Sequence, residues 1–116
     1  MSILQAESTI PLFVAGNHEH GATDISDGTE FPWLMAAGAA NDEGLVGDMG
    51  RSAAAEARYA GFHLAFAPVI DLNYNFNNPI TNVRSFGDQP EQVTTDIALY
   101  RGANGDDTNL GTQSDS

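Results

Sequence analysis

The sequence predicts an α/β fold built on two parallel strands. Two continuous apolar runs carry that expectation, Pro11-Leu12-Phe13-Val14-Ala15-Gly16 and His63-Leu64-Ala65-Phe66-Ala67-Pro68-Val69-Ile70. Both are short and unbroken, as strands buried on both faces are. The segment between them has helical spacing, and a helix joining two such strands makes a right-handed parallel crossover. Each run ends in polar residues, Asn17-His18-Glu19 and Asp71-Leu72-Asn73. These are the C-terminal strand ends, where parallel α/β folds place their ligand sites.

Taken in order, Ser2 to Thr9 reads as the last turns of a helix, broken at Pro11. The first strand follows, then the polar cluster Asn17 to Gly21, and Asp24 to Phe31 has the Asp, Ser, Gly and Thr content of a loop. Phe31 to Ala37 is a one- or two-turn helix or an apolar plug. Asn41 or Asp42 caps the next helix, about Asp42 to Ala60, in which Leu45, Met49, Ala53 and Ala57 recur at four-residue spacing. Gly44, Gly47 and Gly50 weaken it, and Gly61 stands where a C-terminal glycine belongs.

His63 opens the second strand as a packed strand histidine, and beyond Ile70 the chain enters an asparagine-rich loop. Asp88 and Glu91 stand around Pro90 at capping-box spacing, opening a helix with Val93, Ile97 and Tyr100 on its apolar face. That helix ends near Arg101 and Gly102. Residues 104–116 contain a single large apolar side chain, Leu110, and read as a disordered tail.

Composition narrows the function. The chain has 116 residues, sixteen of them acidic against four arginines and no lysine, for a net charge of -12 and a pI near 4.1. Such a chain repels nucleic acid and anionic membrane surfaces. Its acidity fits either a protein kept soluble in high salt or plain compositional drift. It has no cysteine, so neither disulfides nor thiol chemistry are available. No apolar run approaches the ~20 residues of a membrane span. The N-terminus lacks a signal peptide's basic start and apolar core, which leaves a cytoplasmic location as the default. No cofactor is expected, because few arginines leave no phosphate cradle and the three clustered glycines lie within a helix.

Four segments, Phe66 to Asp71, Asn78 to Asp88, Pro11 to Gly21 and Gly28 to Pro32, together resemble glycoside hydrolase family 3, in particular its beta-N-acetylhexosaminidase branch. Phe66-Ala67-Pro68-Val69-Ile70-Asp71 is similar to the family's apolar strand ending in Asp. Asn78-Pro79-Ile80-Thr81-Asn82-Val83-Arg84-Ser85-Phe86-Gly87-Asp88 is similar to its Asn-Pro and Arg-Ser-Phe-Gly segment. Pro11 to Gly21 resembles the strand and Asp-x-Glu-x-Gly-Gly loop, and Gly28-Thr29-Glu30-Phe31-Pro32 the loop that follows. The resemblance runs from about Gln5 to Gly102. It implies part of a (β/α)8 TIM barrel, an architecture of ~250 residues. The implied layout is a helix end over 1–10, a partial barrel domain over 11–103 and the tail beyond. The chain then begins inside the first barrel helix and stops after the helix following its second strand. The family's Lys-His-Phe-Pro-Gly-His motif, its His and Asp acid/base loop and its aspartate nucleophile have no counterpart in it. No catalytic residue is therefore expected in this chain.

The site residues follow from the same resemblance. Arg84 is the first choice for substrate binding, since family members use it to hold sugar hydroxyls or an acyl group, and five fixed donors suit that task. The plainer alternative pairs it with Asp71 or Asp88 to hold the loop. Asn17 stands where the family's sugar-contacting aspartate belongs, and the arginine that often follows that loop is missing from Ala22 to Asp27. Asp71 either orients Arg84, touches ligand or accepts loop amides. Glu19 and His18 are expected as supporting residues behind the site. His18, Glu19 and His20 invite a metal reading, but the spacing is not that of a helical zinc site and no third ligand is indicated, so no metal is expected. The resemblance thus implies part of a retaining glycosidase acting on a beta-N-acetylhexosaminide or beta-glucoside, with carbohydrate as its partner. The alternative is a non-catalytic sugar-binding or assembly piece that associates through open strand edges.

Overall fold

The computed structural model describes residues 2–102 and 109–113. The element order is α1 (Ser2–Glu7), β1 (Ala15–Gly16), α2 (Leu34–Ala40), α3 (Glu43–Tyr59), β2 (Leu64–Val69), a 3-10 turn (Asn82–Arg84), α4 (Pro90–Gly102) and β3 (Asn109–Gln113). The strands form one sheet in the order β1-β2-β3, and both pairings are parallel. Ala15 pairs with Leu64 and Gly16 with Ala65, so the C-terminal ends of β1 and β2 lie side by side.

The third strand corrects the tail expectation. Asn109–Gln113 pairs with β2 from Leu64 to Val69, with an irregularity in register between Phe66 and Val69. β2 otherwise presents a row of unpaired backbone groups on that side, and satisfying them requires only backbone, not a hydrophobic sequence. The remainder of the expected tail, residues 103–108 and 114–116, lies outside the described residues.

The first strand is also shorter than the apolar run suggests. Pro11, Leu12 and Phe13 are exposed, and only Ala15 and Gly16 pair. Apolarity predicted burial on both faces, but among the described residues the helices pack against one face of this sheet. On the covered face Ala65, Ala67 and Val69 of β2 meet Val46, Met49 and Ala53 of α3, Val93 and Tyr100 of α4, and Leu34 and Ala37 of α2. Phe13, Phe66 and Ile70 remain 70%, 41% and 38% exposed.

α3 follows its sequence signals closely. The Asp42 side chain accepts from the Leu45 N–H at 3.1 Å, capping the helix, and Gly61 takes a positive φ of 93° just past its end. Its buried stripe is shifted by one residue at the start, because Val46 is buried while Leu45 faces solvent. In α4 the first helical bond runs from the Val93 N–H to the Gln89 carbonyl, so Gln89 is the cap residue and Pro90 the first helical position. Asp88, the expected cap, instead accepts the Gln89 side-chain amide at 3.0 Å.

Two glycines allow the helices to approach closely. A Cβ on Gly38 of α2 would collide with the Phe86 carbonyl oxygen, and one on Gly50 of α3 with that of Tyr100. These contacts seat α2 against the segment after the 3-10 turn and α3 against α4, which sets the position of the loop carrying Arg84.

Candidate functional site

The site forms where the loops leaving β1 and β2 meet. Asn17 follows directly on β1, and its backbone N–H donates to Asp24 Oδ2 at 2.7 Å, which folds the loop back on itself. Further along, the Thr29 N–H and hydroxyl both donate to the Glu56 carboxylate at 2.6 Å, pinning the loop to α3. The Thr29 hydroxyl, followed by its N–H, holds the Glu56 pKa below the usual carboxylate range.

The asparagines beyond β2 mainly shape their own loop. Asn75 Oδ1 accepts from the Asn77 N–H at 3.1 Å and Asn78 Oδ1 from the Ile80 N–H at 2.9 Å, two Asx turns. Ser85 closes the loop: fully buried, its hydroxyl lies 2.6 Å from the Asp71 carbonyl and 3.0 Å from that of Gly87. The Asn73 N–H donates to Gly87 O at 2.9 Å beside it.

Arg84, at the end of the 3-10 turn, reaches across to the other loop. Its Nε donates to Glu19 Oε2 at 2.8 Å and its Nη2 to Glu19 Oε1 at 2.6 Å, a two-pronged pair with side chains 21% and 12% exposed. Glu19 was expected behind the site but not as the partner of Arg84, for which the loop spacing suggested Asp71 or Asp88. The pair fixes the plane of the guanidinium with two of its five N–H donors. Nη1 makes a longer contact of 3.4 Å to the Ile80 carbonyl.

The other expected residues divide. Asn17 is exposed and Asp71 half-buried at the adjacent strand ends, within the same loop cluster as Arg84. His18 is 1% exposed and packs edge-on against Phe62 at 4.4 Å between ring centres, with a positive φ of 47°. Burial lowers its pKa, partly offset by the Asp24 carboxylate. His18 is thus a packed residue under the loop. His63 is exposed rather than packed within the strand; its Nδ1 accepts from the Val14 N–H at 3.1 Å and its ring stacks on Phe13.

Sequence reasoning missed a second aromatic contact. His20 lies 3.9 Å from the Trp33 ring centre, with its Nε2 3.2 Å from Glu30 Oε1, so the His-Glu-His run points its histidines to different partners. Among the described residues, no three His, Cys, Asp or Glu side chains gather at one point. Ser85 was also missed, although its place directly after Arg84 in a loop was a usable signal.

The arrangement presents a fixed guanidinium and an exposed amide beside two parallel strand ends. A family model described as the Glycosyl hydrolase family 3 N terminal domain matches residues 1–101. The chain belongs to glycosyl hydrolase family 3. Among curated relatives in this family, a "Beta-N-acetylglucosaminidase/beta-glucosidase" from Cellulomonas fimi is 38% identical over 101 residues, covering 86% of this chain and 18% of the relative. Among solved structures, a "Beta-glucoside phosphorylase BglX" superposes with a TM-score of 0.88 at 32% identity, covering 99% of this chain and 21% of that one. A glycoside hydrolase family 3 beta-N-acetylglucosaminidase from Paenibacillus sp. str. FPU-7 superposes with a TM-score of 0.81 at 31% identity, covering 90% and 20%. The family 3 chain therefore spans about a fifth of these relatives' length, and its α/β layout corresponds to part of their N-terminal barrel. No helix among the described residues is long and apolar enough to cross a membrane.

Proposed function

We propose that this chain supplies part of the sugar-holding wall of a glycoside hydrolase acting on a beta-linked N-acetylhexosaminide or glucoside. The observation that carries the reading is the Arg84–Glu19 pair, which holds a guanidinium rigidly at the joined C-terminal ends of two parallel strands. Arg84 donates to a sugar hydroxyl or acyl oxygen, Asn17 adds an amide, and Asp71 lies beside them. An aspartate nucleophile and a His and Asp acid/base pair elsewhere in the enzyme would carry out retaining hydrolysis. The names of the curated relatives support this substrate class. An arginine already neutralised by a carboxylate, on a chain of net charge -12, suits neutral hydroxyls better than phosphate.

The test uses the pure 116-residue chain. Binding of N-acetylglucosamine is expected, weakened by Arg84→Met, together with no turnover of an aryl beta-N-acetylglucosaminide. Turnover would overturn the non-catalytic assignment, and binding indifferent to Arg84→Met would overturn the site.

The uncovered sheet face supports a second reading, association with another polypeptide. Phe13, Phe66 and Ile70 are exposed there, and β1 and β3 are the outer strands of the described sheet. Sedimentation of a compact monomer at all concentrations would remove it.

A further inference from the structure

A cavity of about 370 Å³ opens between α2, the loop after β2 and the first turn of α4. Its volume falls in the ~300–1,000 Å³ range of small-molecule sites. None of Asn17, Glu19, Asp71 and Arg84 is among its lining residues, so it is separate from the pair described above.

Its lining combines aromatic rings with amide and carboxylate groups. Tyr74 and Phe76 stand on its rim 70% and 76% exposed, two flat apolar rings presented to solvent. Inside, Asn73 Oδ1 is shielded from solvent yet has no hydrogen-bond partner. A buried acceptor left unpaired costs free energy, and a rotation of the amide toward the cavity would satisfy it on a ligand donor. Gln92 donates one of its two amide N–H groups to the Gly38 carbonyl at 2.6 Å, and its oxygen can accept from a ligand. Asp88, on the same lining, is an exposed carboxylate. The lining thus offers carboxylate and amide oxygens as acceptors, together with the Asn73 amide N–H groups and the Tyr74 hydroxyl as donors.

A neutral ligand that both donates and accepts hydrogen bonds and presents a C–H face to the aromatic rings matches this lining. We infer that the cavity is a second carbohydrate subsite, taking a neutral sugar unit that stacks on Tyr74 or Phe76 and donates hydroxyls to Asn73, Asp88 and Gln92. This inference rests on the sugar-binding reading of the chain and extends it to a second place. It makes the asparagine-rich loop two-sided, with Arg84 held at its end and the aromatic pair flanking the cavity.

The experiment is an NMR titration of the labelled 116-residue chain with N,N′-diacetylchitobiose, following the Tyr74 and Phe76 ring signals and the Arg84 Nε–H. Ring signals should move with disaccharide. Tyr74→Ala and Phe76→Ala, both at exposed positions, should each weaken that response by about fivefold, while Tyr74→Phe retains it. Rings that stay still while Arg84 responds overturn the subsite and leave the Arg84 reading standing. Rings that move while Arg84 stays still support the subsite and overturn the Arg84 reading. Silence at both, up to about 10 mM disaccharide, overturns both. A stronger ring response to glucosamine than to N-acetylglucosamine would show a cation site and overturn the assignment to a neutral sugar.

Discussion

Arg84 and Glu19 are 65 residues apart in the chain, yet they meet through two hydrogen bonds of 2.8 and 2.6 Å. The pair joins the loop after β1 to the loop after β2, so it both orients the proposed ligand donor and fastens the two strand ends. It is mostly shielded from water, and loss of either partner removes both of these charge-assisted hydrogen bonds from the other.

Glu19→Gln and Arg84→Met are each expected to lower stability by about 2 kcal/mol, the scale of charge-assisted hydrogen bonds, with a coupling near 1 kcal/mol in a double-mutant cycle. Urea denaturation of the four proteins measures this. Additive losses would mean that the pair is only a geometric coincidence.

Gly38→Ala and Gly50→Ala force a methyl group against the carbonyl oxygens of Phe86 and Tyr100. Backbone cannot move aside as a side chain can, so each should cost about 1–3 kcal/mol in spite of alanine's better helix propensity. Gly44→Ala is the contrast. Its Cβ would meet only the Asp42 side chain, at 3.3 Å, and stability should hold or rise by up to about 1 kcal/mol. Thermal melts of the three variants decide it, and equal behaviour would remove the close-approach argument.

His18 ties stability to pH. Burial lowers its folded pKa below 6.5, while the unfolded chain takes up a proton at the ordinary value. The unfolded state therefore binds more protons as pH falls, so stability is full above about 6.5 and declines from there toward the lowered folded value. His18→Asn, in which asparagine tolerates the positive φ, should flatten this stretch of the curve. Denaturation midpoints from neutral to mildly acidic pH would show the flattening, and an unchanged slope would exclude His18 as its source.

Asp96 acts in the opposite sense. It is 6% exposed, with Oδ2 unpartnered, and its pKa is raised by burial, opposed by Gln92 and reinforced by Glu43. A carboxyl held above its unfolded pKa favours the fold at low pH and loses that advantage as pH rises through the folded value. Asp96→Asn should raise the melting temperature at neutral pH, with the gain closing in acid. A gain that persists unchanged in acid would point to packing instead of charge.

Much of the outline was legible in the sequence, since it depends on local signals. The Asp42 cap, the four-residue spacing through Ala57 and Gly61 located α3 almost to the residue, and Pro90 marked the start of α4. The apolar run from Leu64 to Val69 identified β2, and the motif around Arg84 led to the family. These features are set by neighbours within a few turns of the chain.

What the tertiary structure alone decided is partnership. That Glu19 meets Arg84, that His18 is buried against Phe62, and that Asn109–Gln113 completes the sheet all depend on distant segments meeting. The apolar run at Pro11–Gly16 could not show that only its last two residues pair, since hydrophobicity records a tendency to be buried and not what is present to do the burying. A carboxylate near an arginine in sequence is a candidate; the one brought within hydrogen-bond reach by parallel strand pairing is the partner.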